Sequence, residues 1–388
     1  MNILLLTSEF APVQGGIGTY ASEIATAATA LGASVTVVAP DYTKGADSED
    51  LALTYPVQRF NGGLHSMRDT PAKISLARGL VRQQNYDVIH AADWPFFIPV
   101  ALSRRLTKAR LLMTVHGTEI NETQTPLKRF AIGATNVFGE RTEVIANSSF
   151  TRELFRTRFA MAAERVKAIR LGVSQFWFGK AAARAATRRA HGIGQDRFVI
   201  VTVARITRRK GHHLTLAALN ELPDEMRRRV TWLVIGPEGE ADYVDGLRQI
   251  INVSDGDVRL LGPLPSATIR DLYHAADLFC LTGAQDPGGR VEGFGLVYLE
   301  AGACGLPSVA TDVGGVSDAV LTDASGILVT PNVLAIAGAI TGLMQDGDAR
   351  ARLASGASAH ARDLSWERCA AETYGLPVNA ATAQAISA

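Results

Sequence analysis

One repeating pattern dominates this sequence and limits what it can fold into. Short apolar runs, each closed by a glycine or a polar turn, precede longer segments whose apolar residues recur at three- and four-residue spacing. The short runs predict buried strands, and the longer segments predict amphipathic helices. Because strands and helices that alternate in this way build parallel sheets covered by helices, the chain is predicted to be an α/β protein.

The pattern occurs twice along the chain. In the first half the predicted strands are residues 2–7, 34–39, 88–90, 110–115 and 143–146. In the second half they are residues 198–204, 231–235, 258–261, 278–281, 308–311 and 326–329. Residues 18–31 predict the first helix, with a glycine stop at Gly32. We therefore expect two Rossmann-like, doubly wound αβα domains that face each other across a cleft, since ligands of such sheets bind beyond the carboxyl ends of the strands.

A length of 388 residues also favours two domains, because one domain usually has about 100 to 200 residues. The domains are predicted at residues 1–180 and 190–360, and the polar, charged stretch 180–197 is predicted to hold the linker. A helical pattern at about 364–380 is predicted to pack back on the first domain.

The amino-acid composition limits the binding partners and the cellular compartment that we expect for this protein. With 47% hydrophobic residues, 20% charged residues and a formal charge of +1, the chain resembles a compact protein, and nucleic acid is not an expected partner. The three cysteines lie in apolar surroundings, which predicts core residues in a reducing compartment. The first apolar run has no positive charge before it, and no run approaches the roughly 18 apolar residues of a membrane span. A cytoplasmic location is predicted.

Two glutamates raise the first chemical question. Glu292 and Glu300 stand eight positions apart, and Gly293 and Gly295 follow the first of them. Glycines suit a tight turn at a helix entry, so Glu292 is predicted just before a helix start and Glu300 more than a turn inside it, on the order of 10 Å away. That span fits a nucleotide sugar whose diphosphate lies at the helix start. The alternative is that Glu292 and Glu300 are solvent-exposed residues of a surface helix and bind no ligand.

The E-x7-E pattern, in the form EGFGLVYLEA, resembles retaining glycosyltransferases with the GT-B architecture, specifically the large family 4. The resemblance extends in order over nearly the whole chain. The similar segments are SEFAPVQGGIGTYASEIA (8–25), YDVIHAADW (86–94), TVHG (114–117), VIANSSFTRELF (144–155), AIRLGVSQFWF (168–178), VARITRRKGHHLTLAAL (203–219), LVIGPEGE (233–240), VRLLGPLP (258–265) and LSWERCA (364–370). The chain departs from the pattern at Thr282 and Gly283, and again at Ser317 and Asp318.

The resemblance implies roles for particular residues. Arg205 and Lys210 match the two cations that bind the departing diphosphate, and Glu292 and Glu300 match the residues that bind the sugar and the ribose. His116 matches a residue that touches the transferred sugar, although a lone histidine at a strand end is often structural. Further donor-binding positions implied by the match are Gly16, Gly236, Leu264, Gly293, Phe294, Gly295 and Leu296.

Some of these signals have plainer interpretations. The glycines at Gly15, Gly16 and Gly18 follow the first strand, but a G-G-x-G run alone is compatible with an ordinary turn. The basic cluster around Lys210 could be a solvated loop. Its other members are Arg208, Arg209, His212 and His213.

The resemblance also implies the reaction: a hexose moves from GDP-mannose or a UDP-sugar to a hydroxyl acceptor, with retention, by front-face displacement. No cofactor and no metal are expected beyond the nucleotide sugar, because the two cations would neutralise the leaving group. An epimerase of the same architecture is the rival enzyme, and a silent sugar-nucleotide binding protein is the rival from another class.

Two segments of the first domain, residues 103–110 and 127–141, place cations beside apolar residues on predicted helices. A basic amphipathic face of this kind can lie on anionic lipid, although an ordinary surface helix has the same composition. Peripheral contact with the inner face of a membrane, near a lipid-linked acceptor, is therefore one prediction for this domain.

Overall fold

The protein consists of two compact α/β units. The structure, a computed structural model, describes residues 1–13, 15–42, 50–62, 68–121 and 125–377. One unit contains Met1–Gly172 and the segment that begins at Ser365, and the other is Val173–Leu364. Among the residues that the structure describes, each unit has a single sheet, and all strand pairs of the two sheets are parallel.

The first unit has a seven-stranded sheet and the second a six-stranded sheet. The strands of the first are β1 (Asn2–Leu6), β2 (Ser34–Pro40), β3 (Val57–Phe60), β4 (Val88–Ala91), β5 (Arg110–Val115), β6 (Thr142–Ala146) and β7 (Val166–Ala168). Those of the second are β8 (Phe198–Val203), β9 (Val230–Ile235), β10 (Asp257–Gly262), β11 (Leu278–Leu281), β12 (Ser308–Thr311) and β13 (Gly326–Val329).

Helices connect most of these strands. Within the described residues, those of the first unit are α1 (Gly16–Ala30), α2 (Thr70–Gln83), α3 (Phe97–Ser103), α4 (Thr118–Asn121), α5 (Pro126–Ala134) and α6 (Ser149–Arg158). Those of the second unit are α7 (Arg184–Ala190), α8 (His212–Asn220), α9 (Asp224–Arg227), α10 (Ala241–Val253), α11 (Ser266–Ala275), α12 (Leu296–Ala303), α13 (Val316–Ala319), α14 (Val333–Gln345) and α15 (Gly347–Asp363). A last helix, α16 (Trp366–Tyr374), belongs to the first unit.

The α/β prediction is confirmed, and all eleven predicted strands are present within a residue or two of their predicted bounds. Two strands, β3 and β7, were not predicted. Both lie at the edges of the first sheet, whose order is β3-β2-β1-β4-β5-β6-β7. An edge strand pairs on one side only and is partly exposed, so neither strand carries the continuous apolar run by which buried strands are recognised.

The predicted linker at 180–197 is wrong. This stretch packs on the second unit through α7, whose Arg188 is 2% exposed. The Arg188 guanidinium donates to Asp277 at 2.8 Å and to the backbone carbonyls of Ala275 and Arg197. The charged segment 180–197 resembled a solvated linker because its neighbouring residues do not show that Arg188 is buried and paired with Asp277. The chain leaves the first unit at Gly172 instead.

The helix predicted at about 364–380 is observed as α16, and residues 378–380 lie outside the described residues. It packs against α1, where the rings of Trp366 and Tyr20 have centroids 6.1 Å apart. A buried polar chain continues from there, because Tyr20 Oη bonds Thr114 Oγ1 and His90 bonds both Thr114 and Tyr374. Burial, and next the neighbouring His116, lower the pKa of His90 to about 3. His90 is therefore neutral and tied to this helix.

Candidate functional site

The candidate site of the second unit lies where its strand order reverses. The order β10-β9-β8-β11-β12-β13 places β8 beside β11, although β9, β10 and the helices around them separate these two strands along the chain. Because the strands are parallel, the loops that follow β8 and β11 leave the same edge of the sheet, at the position where doubly wound sheets bind ligands. The first loop carries residues 204–211 and the second carries residues 282–295.

These two loops bring Lys210 and Glu292 into direct contact. Lys210 Nζ forms an ion pair with Glu292 Oε2, and Arg209 Nη1 lies 3.7 Å from the same oxygen. The side chains of Lys210 and Glu292 are only 16% and 17% exposed. Burial alone would raise the pKa of Glu292, but Lys210 and then Arg209 outweigh it and hold that pKa below its ordinary value. The site therefore holds an ionised carboxylate between cations.

Backbone contacts fix the turn that carries Lys210. Gly211, which follows it, has φ +70°, and a Cβ there would lie 1.7 Å from the backbone oxygen of Thr282. Thr282 Oγ1 donates to the Gly211 carbonyl at 2.8 Å, and the Ala284 N–H donates to the Arg209 carbonyl at 2.9 Å. Thr282, one of the departures from the family pattern, thus has a structural role: it ties the loop after β11 to the turn.

A glycine pair holds the backbone of Glu292 from the other side. Gly315 donates its N–H to the Glu292 carbonyl at 2.9 Å. Gly314 has φ +60°, and a Cβ there would lie 2.1 Å from the same carbonyl oxygen. Only a residue without a side chain fits this position, which explains physically why the glycine pair follows β12.

The start of α12 follows Glu292. Gly295 precedes the helix with φ +93°, and a Cβ at this residue would meet the Tyr298 ring at 2.6 Å. The Tyr298 hydroxyl donates to the Leu281 carbonyl at 2.9 Å and so joins α12 to the end of β11. Phe294 is buried, so only its backbone is available to a donor, whereas Leu296 is half-buried at the first helical position. The first N–H groups of α12 have no partner within the helix and favour an anion.

Arg205 is not joined to this ion pair. It is exposed, and it makes no ion pair with any described residue. A Cβ at Gly239 would lie 2.8 Å from the Arg205 Cγ and Cδ atoms, so the arginine stem lies against that glycine. Gly236 supports the same loop: its φ is +142°, and a Cβ there would meet the Ala204 carbonyl at 2.2 Å. Its N–H donates to Gly262, two residues before the half-buried Leu264.

Glu300 lies on α12 as predicted and is half-buried. Its charge acts on Tyr273 of α11 and on Cys304: after burial, it is the next cause that raises the pKa of each group. The raised Cys304 pKa, about 12, keeps this thiol protonated. Glu300 therefore faces a different set of neighbours from Glu292, and its contact with the ribose stays a prediction.

The first unit holds the remaining predicted residues. His116 follows β5, and its Nε2 donates to the Ala92 carbonyl at 2.8 Å. Its ring meets Tyr20 edge-on with centroids 5.1 Å apart. Gly18 donates its N–H to Glu9 Oε1 at 2.8 Å, and a Cβ at Gly15 would overlap that carboxylate.

Gly16 differs from the two glycines beside it. A Cβ at Gly16 would meet no atom within 4 Å. Gly15 therefore makes room for Glu9 at the start of α1, Gly18 binds the same carboxylate through its N–H, and a side chain at Gly16 would point into free space. Its contact with a donor stays a prediction.

The basic cluster separates into three kinds of residue. His212 is 1% exposed and belongs to the core beneath the turn, where its ring lies 6.5 Å from that of Trp232. His213 bonds the Tyr243 hydroxyl, and Arg208 lies over the Tyr243 ring. Only Arg209 and Lys210 face Glu292. The sequence did not distinguish these residues because consecutive positions in a tight turn point in different directions.

Two further observations concern metals and membranes. Among the described residues, no three His, Cys, Asp or Glu side chains are grouped so that they could hold a metal ion. In the same part of the chain, every helix is too short or too polar to cross a bilayer.

Comparison with known proteins places this chain in a family. Residues 14–175 match the family model described as Glycosyltransferase Family 4, and residues 183–360 match the model described as Glycosyl transferases group 1. A GDP-mannose-dependent alpha-(1-6)-phosphatidylinositol monomannoside mannosyltransferase of Mycolicibacterium smegmatis is 30% identical, over 89% of each chain. A D-inositol 3-phosphate glycosyltransferase of Actinosynnema mirum is 29% identical, over 91% of this chain and 89% of its own.

Solved structures agree with these relatives. Anabaena Alr3699/HepE in complex with UDP and glucose superposes with a TM-score of 0.78 at 26% identity, over 96% of this chain and 98% of its own. A sucrose-phosphate synthase of Thermosynechococcus elongatus has a TM-score of 0.80 at 22% identity, over 97% and 98% of the two chains, and shows the shared fold. The predicted GT-B glycosyltransferase class is confirmed, and none of these proteins supports the epimerase alternative.

Proposed function

Since this chain belongs to the group 1 glycosyltransferases of family 4, which use nucleotide sugars, we propose that it transfers a hexose to a hydroxyl acceptor with retention of the anomeric configuration. The observation that carries the proposal is the contact between Lys210 and Glu292 at the switch point of the second sheet. A cation beside an ionised carboxylate at that edge provides one group for a diphosphate and one for sugar hydroxyls.

The proposed reaction is a front-face displacement. The bond from the sugar C1 to the diphosphate oxygen breaks, the acceptor oxygen bonds C1 on the same face, and the acceptor proton passes to the leaving diphosphate oxygen. Lys210 and the exposed Arg205 stabilise the charge that develops on the diphosphate, together with the N–H groups at the start of α12. Glu292 orients the sugar, and Glu300 binds the ribose. His116 is kept as a predicted contact of the transferred sugar.

This mechanism assigns the charge stabilisation to side chains, so we propose that transfer needs no metal. The test is turnover in the presence of EDTA. Activity that is abolished by the chelator and restored by Mg²⁺ or Mn²⁺ would reject this part of the proposal.

The roles of Lys210 and Glu292 are tested by Lys210→Ala and Glu292→Gln. Each change is expected to reduce kcat/KM for sugar transfer by about 100-fold or more, because each removes a charged group from the reacting centre. Matched controls are Lys167→Ala and Glu153→Gln, which alter exposed residues of the first unit. Activity within a few-fold of the wild-type enzyme in both site variants would contradict the assignment.

We propose GDP-mannose or a UDP-sugar as the donor. The first is named in the mycobacterial relative, and UDP is bound in the Anabaena structure. A thermal-shift series with GDP, UDP, ADP and their sugars separates the two, because a ligand that binds only the folded state raises Tm, and at equal concentration a tighter ligand raises it more. Equal Tm shifts with GDP, UDP and ADP would contradict the proposal that the protein selects its donor by the nucleotide base.

We also propose peripheral membrane contact through α5, which fits a lipid-linked acceptor and a cytoplasmic enzyme at the inner membrane face. Leu127 and Phe130 lie three positions apart on this helix and are 77% and 72% exposed. Arg129, which stands between them, is exposed, whereas the Lys128 ammonium lies 4.2 Å from the centre of the Trp94 ring. Apolar side chains beside cations are typical of helices that lie in the headgroup region of anionic bilayers.

Flotation with vesicles of phosphatidylglycerol and phosphatidylcholine tests this contact. The wild-type protein is expected to float with the anionic vesicles at low salt and to lose binding at high salt. Leu127→Ser with Phe130→Ser should abolish flotation, and Leu334→Ser, at an exposed position of the second unit, should not. No flotation of the wild-type protein at low salt would reject the proposal.

A further inference from the structure

Arg209 and Lys210 approach the same oxygen of Glu292, and this shared contact has a consequence when a donor binds. Lys210 Nζ is in contact with Oε2, and Arg209 Nη1 lies 3.7 Å from it. The inference drawn here rests on the proposed function, in which Lys210 binds the diphosphate of the donor. A diphosphate that recruits the Lys210 ammonium competes with Glu292 for it. The carboxylate then depends on its second cation.

We propose that Arg209 is a positioning residue, which keeps Glu292 ionised and in place for the sugar while Lys210 serves the diphosphate. The Glu292 side chain is largely buried, so losing both cations would leave a poorly solvated charge. Arg209 suits this task because a guanidinium presents its N–H donors in a planar fork that matches the geometry of a carboxylate. Its backbone is fixed by the bond from Ala284 to its carbonyl.

Arg208 provides a matched comparison, since it has the same side chain one position earlier in the turn. Its guanidinium lies 5.4 Å over the centre of the Tyr243 ring, and its N–H donates to Glu240 Oε2 at 3.1 Å. It therefore faces α10, whereas Arg209 faces Glu292. Any effect that depends only on the net charge of the turn should be the same for both arginines.

The first experiment measures binding by calorimetry, with GDP-mannose and UDP-glucose as nucleotide sugars and with GDP and UDP alone. Arg209→Gln is expected to raise the Kd of the accepted nucleotide sugar about tenfold, because sugar binding depends on Glu292. The Kd of the matching free nucleotide should change less than twofold. Arg208→Gln should change neither, and Arg209→Lys should restore most of the affinity for the nucleotide sugar. Thermal unfolding of each variant confirms that it is folded.

The second experiment uses the pH dependence of binding, which a purely structural role would not change. Among the described residues, the charged and titratable groups facing Glu292 are Lys210 and Arg209 from the turn and Tyr298 from α12. Burial raises the pKa of Tyr298 well above its ordinary value, so only the carboxylate titrates on the acid side. Arg209→Gln should move the acid limit of nucleotide-sugar binding upward by about one pH unit, and Arg208→Gln should leave it unchanged.

A double-mutant cycle with Glu292→Gln completes the test. If Arg209 acts through Glu292, adding Arg209→Gln to Glu292→Gln should cause no further loss of nucleotide-sugar affinity. The inference is overturned if Arg209→Gln weakens GDP or UDP as much as the nucleotide sugar, since Arg209 would then contact the diphosphate itself. Equal effects of the two arginine variants would also overturn it. If the wild-type protein binds no nucleotide sugar, the proposed function itself has failed, which is a different result.

Discussion

Gly314→Ala is predicted to displace Glu292, because Gly314 lies against the backbone of that residue. Gly314→Ala places a methyl group 2.1 Å from the Glu292 carbonyl oxygen and 2.8 Å from Val291 Cγ2. Cβ atoms essentially never approach other atoms within 3.0 Å, so the loop must move by roughly 1 Å. That movement carries Glu292 with it and disturbs the bond from Gly315 to the same carbonyl.

The expected magnitudes follow from two separate costs. An alanine at φ +60° costs about 1 kcal/mol of folding free energy in backbone strain. The steric overlap adds about 2 kcal/mol, as for other overpacked sites. The free energy of unfolding should therefore fall by about 3 kcal/mol in total. Because the displaced carboxylate orients the sugar, kcat/KM for transfer should fall by about 100-fold.

Gly305→Ala separates the two costs. Gly305 has a similar backbone, with φ +72°, but a Cβ there would meet no atom within 4 Å. Urea unfolding of this variant should show only the strain, about 1 kcal/mol, with unchanged transfer activity. The reasoning is refuted if Gly314→Ala is no less stable than Gly305→Ala, or if it retains the kcat/KM of the wild-type enzyme.

Two further predictions concern stability. Arg188→Ala should lower the free energy of unfolding of the second unit by about 3 kcal/mol, because it removes a buried donor from Asp277 and several carbonyls. Arg189→Ala, at an exposed position, should change this free energy little. Equal urea midpoints for the two variants would contradict the prediction. Burial, more than any neighbouring charge, lowers the pKa of His90 from 6.5 to about 3 and that of His212 from 6.5 to about 4. At a pH below 6.5 and above these lowered pKa values, the unfolded chain therefore binds more protons than the folded chain. The free energy of unfolding should then decrease as pH falls from 6.5 towards 4, by up to about 1.4 kcal/mol per pH unit for each histidine, and a flat profile from pH 7 to 5 in urea titrations would contradict it.

Much of the fold could be predicted because buried parallel strands have a strong local signal. The segments FVIVTV and LFCL are apolar on both faces, and each forms a central strand. Edge strands lack that signal, as β3 with its sequence VQRF shows. The linker was misassigned for a related reason: two partners of Arg188, Ala275 and the ion-pair partner Asp277, lie nearly 90 positions away, and no local pattern reveals them.

The candidate site was predicted less completely. The resemblance supplied Lys210 and Glu292, and the glycines beside Glu292 predicted a helix start shortly after it, which the structure has at Leu296. The sequence did not predict that these two charged groups form an ion pair with each other. Arg209 was grouped with solvated residues because sequence spacing gives no direction to side chains within a single turn.

By itself, the sequence determined the alternation of strands and helices, because apolar periodicity depends only on neighbouring residues. It also determined which residue types were present for the chemistry, through a pattern of glycines, cations and carboxylates shared with a family. Only the tertiary structure decided which of these groups meet. Lys210 and Glu292 are 82 residues apart in the chain, and they meet because β8 and β11 pair at the point where the sheet reverses its order. Such long-range pairing depends on the whole sheet, and no local stretch of sequence encodes it.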